Sequence, residues 1–175
     1  SMMGSGGMIV MDEDDCMVAM AQFYLGFTVE ESCGKCSPCR IGNKRLFEIL
    51  TKITSGKGTE EDLKRLRNLG EVIKDTSLCG VGQTSPNPVL ATLDNFYDEY
   101  LAHVTEQRCP AHQCRDLTVY YINPKKCTGC TLCAHVCPVH AIVGERKTTH
   151  IIDPNLCIRC GSCLEKCRFG AIYVY

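Results

Sequence analysis

Fifteen of the 175 residues are cysteine, and they fall in groups whose spacing suits soft-metal chemistry. The first group, ESCGKCSPCRIG (31–42), sets Cys33, Cys36 and Cys39 at two-residue intervals. A zinc ion or an iron–sulfur cluster takes four protein ligands, and this run offers three. From Arg40 to Ser77 the sequence has neither cysteine nor histidine. Cys79, in TSLCGVG (76–82), is the only cysteine between Cys39 and Cys109, and it is flanked by glycine. A helical unit that returns on itself brings that loop beside the 33–39 turn, so Cys79 is the expected fourth ligand. Cys36 and Cys39 flank a helix start, where free N–H groups favour an anionic group, and Arg40 adds a positive charge.

The tail repeats itself. INPKKCTGCTLCAHVCPVHAI (122–142) and IDPNLCIRCGSCLEKCRFGAI (152–172) superpose at an offset of 30, with every cysteine matched. Two copies are too few for a solenoid, so a two-fold pseudosymmetric domain is expected. Each copy reads C-x2-C-x2-C-x3-C, which lets a tight turn aim successive sulfurs at one cubane. Zinc ribbons instead use two C-x2-C knuckles set well apart. Residues 117–175 therefore resemble bacterial-type ferredoxin domains. That resemblance implies two 4Fe-4S clusters, each taking three cysteines from one copy and one from the other. Carried onto this sequence, Cys127, Cys130, Cys133 and Cys167 hold one, and Cys157, Cys160, Cys163 and Cys137 the other. Arg168 departs from the pattern, which has proline there. It is either a cation that raises that cluster's potential or an ordinary surface arginine.

Three cysteines are left over. RCPAHQC (108–114) packs Cys109, His112 and Cys114 together, and Cys16 offers a fourth ligand. A Cys3His set suits tetrahedral zinc, which would pin a linker between two redox modules. The competing reading is three free buried thiols and an exposed histidine. His103, His135, His140 and His150 have no ligand-like company and are read as structural or exposed.

These side chains need elements to place them. An apolar, Met-rich helix runs from Asp15 to about Phe27. Ser37-Pro38 opens a second helix, carrying Ile41, Leu46, Ile49, Leu50 and Ile53 inward and ending in SGKG (55–58). Thr59 with Asp62 reads as a capping box for a third, with Leu63, Leu66, Leu69 and Ile73 on one face. SPNP (85–88) opens a fourth, whose apolar residues from Val89 to Val104 keep a 3.6-residue period. Short strands over 117–121 and 172–174 are expected to pair. The fold class is thus α+β: a small four-helix bundle carrying one iron–sulfur cluster, then a pseudosymmetric 2x(4Fe-4S) ferredoxin-type domain.

Net charge is −1, but residues 1–116 carry 12 Lys+Arg against 17 Asp+Glu, and residues 117–175 carry 7 against 3. A basic tail suits nucleic acid, and it suits a bound anionic cofactor equally well. Clustered C-x2-C pairs, an odd cysteine count and no apolar leader point to metal ligation in the cytoplasm rather than secreted disulfides. No apolar run reaches the roughly 20 residues a membrane span needs. The first residue is Ser, so a piece of a longer chain is expected.

ESCGKCSPCRIG followed some 40 residues later by SLCG resembles the C-terminal cluster domain of the NADH-binding flavoprotein subunit of respiratory NADH dehydrogenase and its soluble relatives. The resemblance covers residues 1 to about 100. It implies a 4Fe-4S cluster on Cys33, Cys36, Cys39 and Cys79, receiving electrons from a flavin. A zinc on the same cysteines is the alternative. A two-cluster ferredoxin after such a bundle is typical of beta subunits of soluble NAD(P)-linked, electron-bifurcating iron-only hydrogenases and of formate dehydrogenases. The resulting division is 1–14 as the end of a flavin-domain region, 15–104 as the bundle, 105–116 as a linker with a zinc site, and 117–175 as the ferredoxin. GSGG at 4–7 lacks the context of a dinucleotide fingerprint, so FMN and NAD(P) are assigned to a missing upstream domain.

The implied role is an electron carrier without its own substrate site, passing single electrons through three 4Fe-4S clusters. Implied partners are a hydrogenase catalytic subunit, a small 2Fe-2S subunit and ferredoxin, with neither nucleic acid nor membrane. Two alternatives stand beside it. One is the beta-subunit module of an NAD(P)-linked formate dehydrogenase. The other, from a different class, is a zinc-stabilised interaction or nucleic-acid module.

Overall fold

The structure, a computed structural model, describes residues 8–175. Its described residues divide into two compact units, the first ending at Leu117 and the second running Thr118–Tyr175. GSGG at 4–7 lies outside the described residues, and residues 8–14 are exposed and irregular.

The first unit is helical. Helix α1 (Met17–Glu30) begins at Cys16, whose sulfur accepts the Ala19 N–H at 3.4 Å, and so starts later and ends later than the apolar run suggests. A single π-helical turn, Pro38–Gly42, leads directly into α2 (Asn43–Thr54); its wider winding leaves Ile41 exposed rather than inward, with Cys39 and Gly42 on the buried side. The capping box read at Thr59 forms: Asp62 Oδ2 accepts the Thr59 N–H at 2.9 Å at the start of α3 (Glu60–Thr76). Lys52 on α2 reaches the same carboxylate oxygen at 2.6 Å, tying the two helices together. A short helix, α4 (Gly80–Thr84), then precedes α5 (Asn87–Asn95). Leu25, Leu46, Leu50, Ile53, Leu66, Ile73 and Leu93 fill the space between the helices and are buried. Burial of these faces, rather than helix propensity, holds short helices in water.

The fourth helix expected from the 3.6-residue period is interrupted. It divides into α5 and α6 (Tyr97–Leu101) at Phe96, whose backbone (φ −131°, ψ 38°) is not helical. Asn95 and Phe96 are weak helix formers, and the apolar period stays in phase across the break, which hides it from the sequence. Tyr100, buried, spans the break by pairing its hydroxyl with Thr92 Oγ1 at 2.8 Å.

Residues 105–116 do not form a loose linker. A second π-helical turn, Ala102–Glu106, continues α6, and Gln107 (φ 50°) reverses the chain. Cys109, Cys114 and Leu117 are then buried in the first unit's core. The segment docks through sulfur and one leucine, which no apolar period announces.

The second unit contains two antiparallel ribbons. Strand β1 (Tyr120–Ile122) pairs with β4 (Ile172–Val174), Tyr120 opposite Val174, and β2 (Ile142–Val143) pairs with β3 (Ile151–Ile152). Two five-residue helices, α7 (Leu132–Val136) and α8 (Ser162–Lys166), lie 30 residues apart. The bond from Asn123 N–H to Ala171 O (2.7 Å) recurs, with its partners exchanged, as Asp153 N–H to Ala141 O (2.8 Å). No described helix is long and apolar enough to cross a membrane.

Candidate metal and cluster sites

The first unit brings the Cys79 loop against the 33–39 turn. Ser32 and Gly34 (φ 74°) start the turn, and Arg40 closes it by donating to Gly34 O at 3.2 Å. Cys79 sits at the start of α4, directly after Leu78. The Leu78 and Cys39 backbone N–H groups hold the Cys36 thiol below the usual range. Gly82 seals the approach: a Cβ there would lie 2.5 Å from Ser77 Oγ and 3.1 Å from Cys39 Cβ. Cys39 is buried, Cys36 half-buried, and Cys33 and Cys79 exposed.

The donor chemistry suits a cluster. Ser77 Oγ is buried beside this turn and has no hydrogen-bond partner within the protein among the described residues. Cys39 already receives Ser32 and Asn43 as neighbours, at 3.3 and 3.5 Å. Hydroxyl and amide donors gathered at Cys39 match an anionic group that can only accept.

In the second unit, one cavity is lined by Cys127, Cys130, Cys133 and Cys167, and another by Cys157, Cys160, Cys163 and Cys137. Folding thus gathers three cysteines of each copy with one of the other. The turns that present them need left-handed residues at Gly129 and Thr131, and again at Arg159 and Gly161. A Cβ on Gly129 would meet the Thr148 backbone at 2.5 Å. Each exchanged cysteine accepts a backbone N–H at 3.3 Å, Ala141 to Cys137 and Ala171 to Cys167. Burial pushes the Cys133 thiol up, and the Cys163 thiol up to about 11.

Apolar walls from Ile122, Leu132 and Phe169 shield the first cavity, which also takes in His150. His150 is buried, places Nδ1 3.2 Å from Thr148 O, and has no partner at Nε2 among the described residues. The sequence carries one signal for this placement: His150 lies 30 residues after Tyr120, which lines the other cavity. Arg168 is exposed, as are His135 and His140.

A third group is tighter. Cys16, His103, Cys109 and Cys114 are all buried, with ligand atoms all within 4.8 Å of one another. His103 takes the place assigned to His112, which is exposed on a left-handed turn (φ 53°) after Pro110. The π-helical turn after α6 carries His103 inward, and Glu99 O lies 2.7 Å from its Nδ1. That bond places a proton on Nδ1 and turns Nε2 toward Cys16 and Cys114, 3.3 Å from each sulfur. Local spacing around Cys109 points to His112, whereas the sixth residue before Cys109 is the one the fold delivers.

Tetrahedral zinc with Zn–S near 2.3 Å separates its sulfurs by about 3.8 Å. The Cys16 and Cys114 sulfurs are 3.7 Å apart. Burial alone would push the His103 imidazole down, but bonds to Cys109 and Cys16 hold it up, to about 10. Bonds from Cys114 and Cys16 hold the Cys109 thiol far below its usual range, and the same contacts push Cys114 up. Four soft donors so confined compete for protons, and a dication relieves that competition.

Residues 19–103 match the family described as the NADH-ubiquinone oxidoreductase-F iron–sulfur binding region, and residues 126–172 match the 4Fe-4S dicluster domain. The chain joins two iron–sulfur binding domains. It is 62% identical over 172 residues to the NADP-reducing hydrogenase subunit HndC of Solidesulfovibrio fructosivorans, covering 98% of this chain and 35% of that protein. It is 39% identical over 112 residues to a component of the NADH-quinone oxidoreductase of Rhizobium meliloti (strain 1021), covering 64% of this chain and 27% of that one. A crystal structure of an NAD+-reducing [NiFe]-hydrogenase in the H2-reduced state matches with a TM-score of 0.53 at 33% identity, over 55% of this chain and 16% of that one. The chain thus spans about a third or less of the proteins it resembles. Cys16, Cys109 and Cys114 fall outside both matched iron–sulfur stretches, whereas His103 is the last residue of the first.

Proposed function

We propose that this chain is the electron-relay portion of an NAD(P)-linked hydrogenase subunit, holding three 4Fe-4S clusters and one zinc. Cys33, Cys36, Cys39 and Cys79 hold the first cluster. Cys127, Cys130, Cys133 and Cys167 hold the second, and Cys157, Cys160, Cys163 and Cys137 the third. Bound there, the clusters supply one-electron transfer between an FMN/NAD(P)H site elsewhere in the longer protein and a partner. The chain's own residues bind, space and partly bury them, and supply no acid, base or nucleophile. The partners are a hydrogenase catalytic subunit, a small 2Fe-2S subunit and ferredoxin.

One observation carries this reading. Similarity to the hydrogenase relative runs through both units, 98% of the chain, whereas the quinone-reductase relative reaches 64%. The first unit is read as a four-helix bundle over 15–104, with α5 and α6 as the two halves of its last helix. The second is read as a pseudosymmetric ferredoxin, supported by its hydrogen bonds recurring at an offset of 30. Zinc on Cys16, His103, Cys109 and Cys114 fixes the end of the chain's first unit to the start of α1.

A visible spectrum tests the proposal against a zinc-only interaction module. Anaerobically purified chain should be brown, with broad absorbance that bleaches on dithionite. Colourless protein carrying stoichiometric zinc alone would overturn it.

A further inference from the structure

Cys39 differs from the other three cysteines of the first unit's set. Cys33 and Cys79 are exposed and Cys36 is half-buried, so water reaches them. Cys39 is 5% exposed, and its sulfur must take its hydrogen bonds from the protein. It has two donors, the Ser32 hydroxyl at 3.3 Å and the Asn43 Nδ2 at 3.5 Å.

Asn43 is an unexpected residue for its position. It opens α2 and is fully buried, where an amide costs free energy unless both ends are bonded. Its Oδ1 lies 2.8 Å from Ser85 Oγ, and Ser85 is itself buried. A ligating thiolate can only accept, so the amide must turn its NH2 toward Cys39. Its oxygen then faces Ser85, whose hydroxyl supplies the one proton that oxygen needs. Gly82 O, at 2.9 Å from Ser85 Oγ, is the competing acceptor for that proton. The arrangement is directional: Ser85 O–H to Asn43 Oδ1, then Asn43 N–H to Cys39 Sγ. Each bond polarises the next.

We propose that Asn43, oriented by Ser85, tunes the reduction potential of the first unit's cluster by donating to the Cys39 sulfur. This rests on the reading that Cys33, Cys36, Cys39 and Cys79 hold a cluster. Reduction adds negative charge that spreads onto the ligand sulfurs. A donor on a buried sulfur therefore stabilises the reduced form more than the oxidised one and raises the potential. Neither residue is a ligand; both act through Cys39. Ser85 comes from a segment 42 residues away, so the loop that carries Cys79 also sets the electronics of Cys39.

The test is a redox titration of the loaded full-length chain, followed by electron paramagnetic resonance. The first unit's signal is identified as the one lost in Cys79→Ser; absence of any such signal in the parent would reject the cluster reading itself, before Asn43 is tested. With that signal present, Asn43→Leu should shift its midpoint to more negative potential, and Ser85→Ala should shift it the same way by less. The midpoints of the second unit's clusters should not move. An unchanged first-unit midpoint in both variants, with the signal at full amplitude, overturns the proposal. If Asn43→Leu loses the cluster, Ser85→Ala decides: an unshifted midpoint there leaves Asn43 a purely structural residue, and the proposal fails.

Discussion

Cys16 and Cys114 are 98 positions apart, and their sulfurs lie 3.7 Å from each other. One is the N-cap of the first helix and the other belongs to the hook that ends the first unit. His103 stands 3.3 Å from both, so the first unit is closed by its own two ends. A loop of this length gains much from being clipped, since closure entropy grows with chain length.

His103→Ala should therefore take zinc from about one per chain to near zero and lower the first unit's melting temperature. His112→Ala should leave zinc and stability at parent levels. Metal analysis with differential scanning calorimetry separates the two. Zinc loss in His112→Ala with retention in His103→Ala would restore the arrangement suggested by local spacing.

Cys79→Ser should remove roughly four iron per chain, because a 4Fe-4S cluster takes four thiolates. The paramagnetic signals of the second unit should survive on reduction. Persistence of every signal would place the fourth ligand elsewhere.

The exchange of Cys137 and Cys167 makes a pairing prediction. Cys167→Ser and Cys130→Ser should silence the same signal, and Cys137→Ser and Cys160→Ser the other, since these pairs line common cavities. Should Cys167→Ser silence the Cys160 signal instead, each copy would hold its own cluster with its own four cysteines.

Asp62 is nearly buried between the Thr59 cap and Lys52. Burial pushes its carboxyl up, but the bonds from Lys52 and Thr59 outweigh that and hold it below the usual range. A depressed folded pKa gives stability that is present above the ordinary carboxylate value, about 3.9, and is lost as pH falls through the lower folded value. Asp62→Asn should cost roughly 2 kcal/mol at pH 7. The gap to the parent should stay constant down to about pH 5 and narrow only below about pH 4. Urea unfolding followed by helix signal checks this; a gap that widens on acidification would contradict it.

The contrast between these sites shows where sequence is informative. Cys33, Cys36 and Cys39, and the repeats of the second unit, declare themselves because their ligands lie within one turn of each other. Cys79 is reachable because no other soft residue lies nearby. His103 is not, because its partners come from both ends of the first unit and only the fold brings them together. The break at Phe96 is hidden for a related reason: apolar period reports which face is buried, not whether the backbone continues. Asn43 gives no signal either, since a lone polar residue within a helix normally reads as part of its solvated face, and only its burial reveals the bond to Cys39.

The most direct test of three clusters and one zinc is composition. Chain reconstituted anaerobically with iron and sulfide should hold roughly twelve iron, twelve acid-labile sulfide and one zinc per chain. Eight iron and eight sulfide after full reconstitution would leave only the second unit's clusters and contradict the relay through Cys33, Cys36, Cys39 and Cys79.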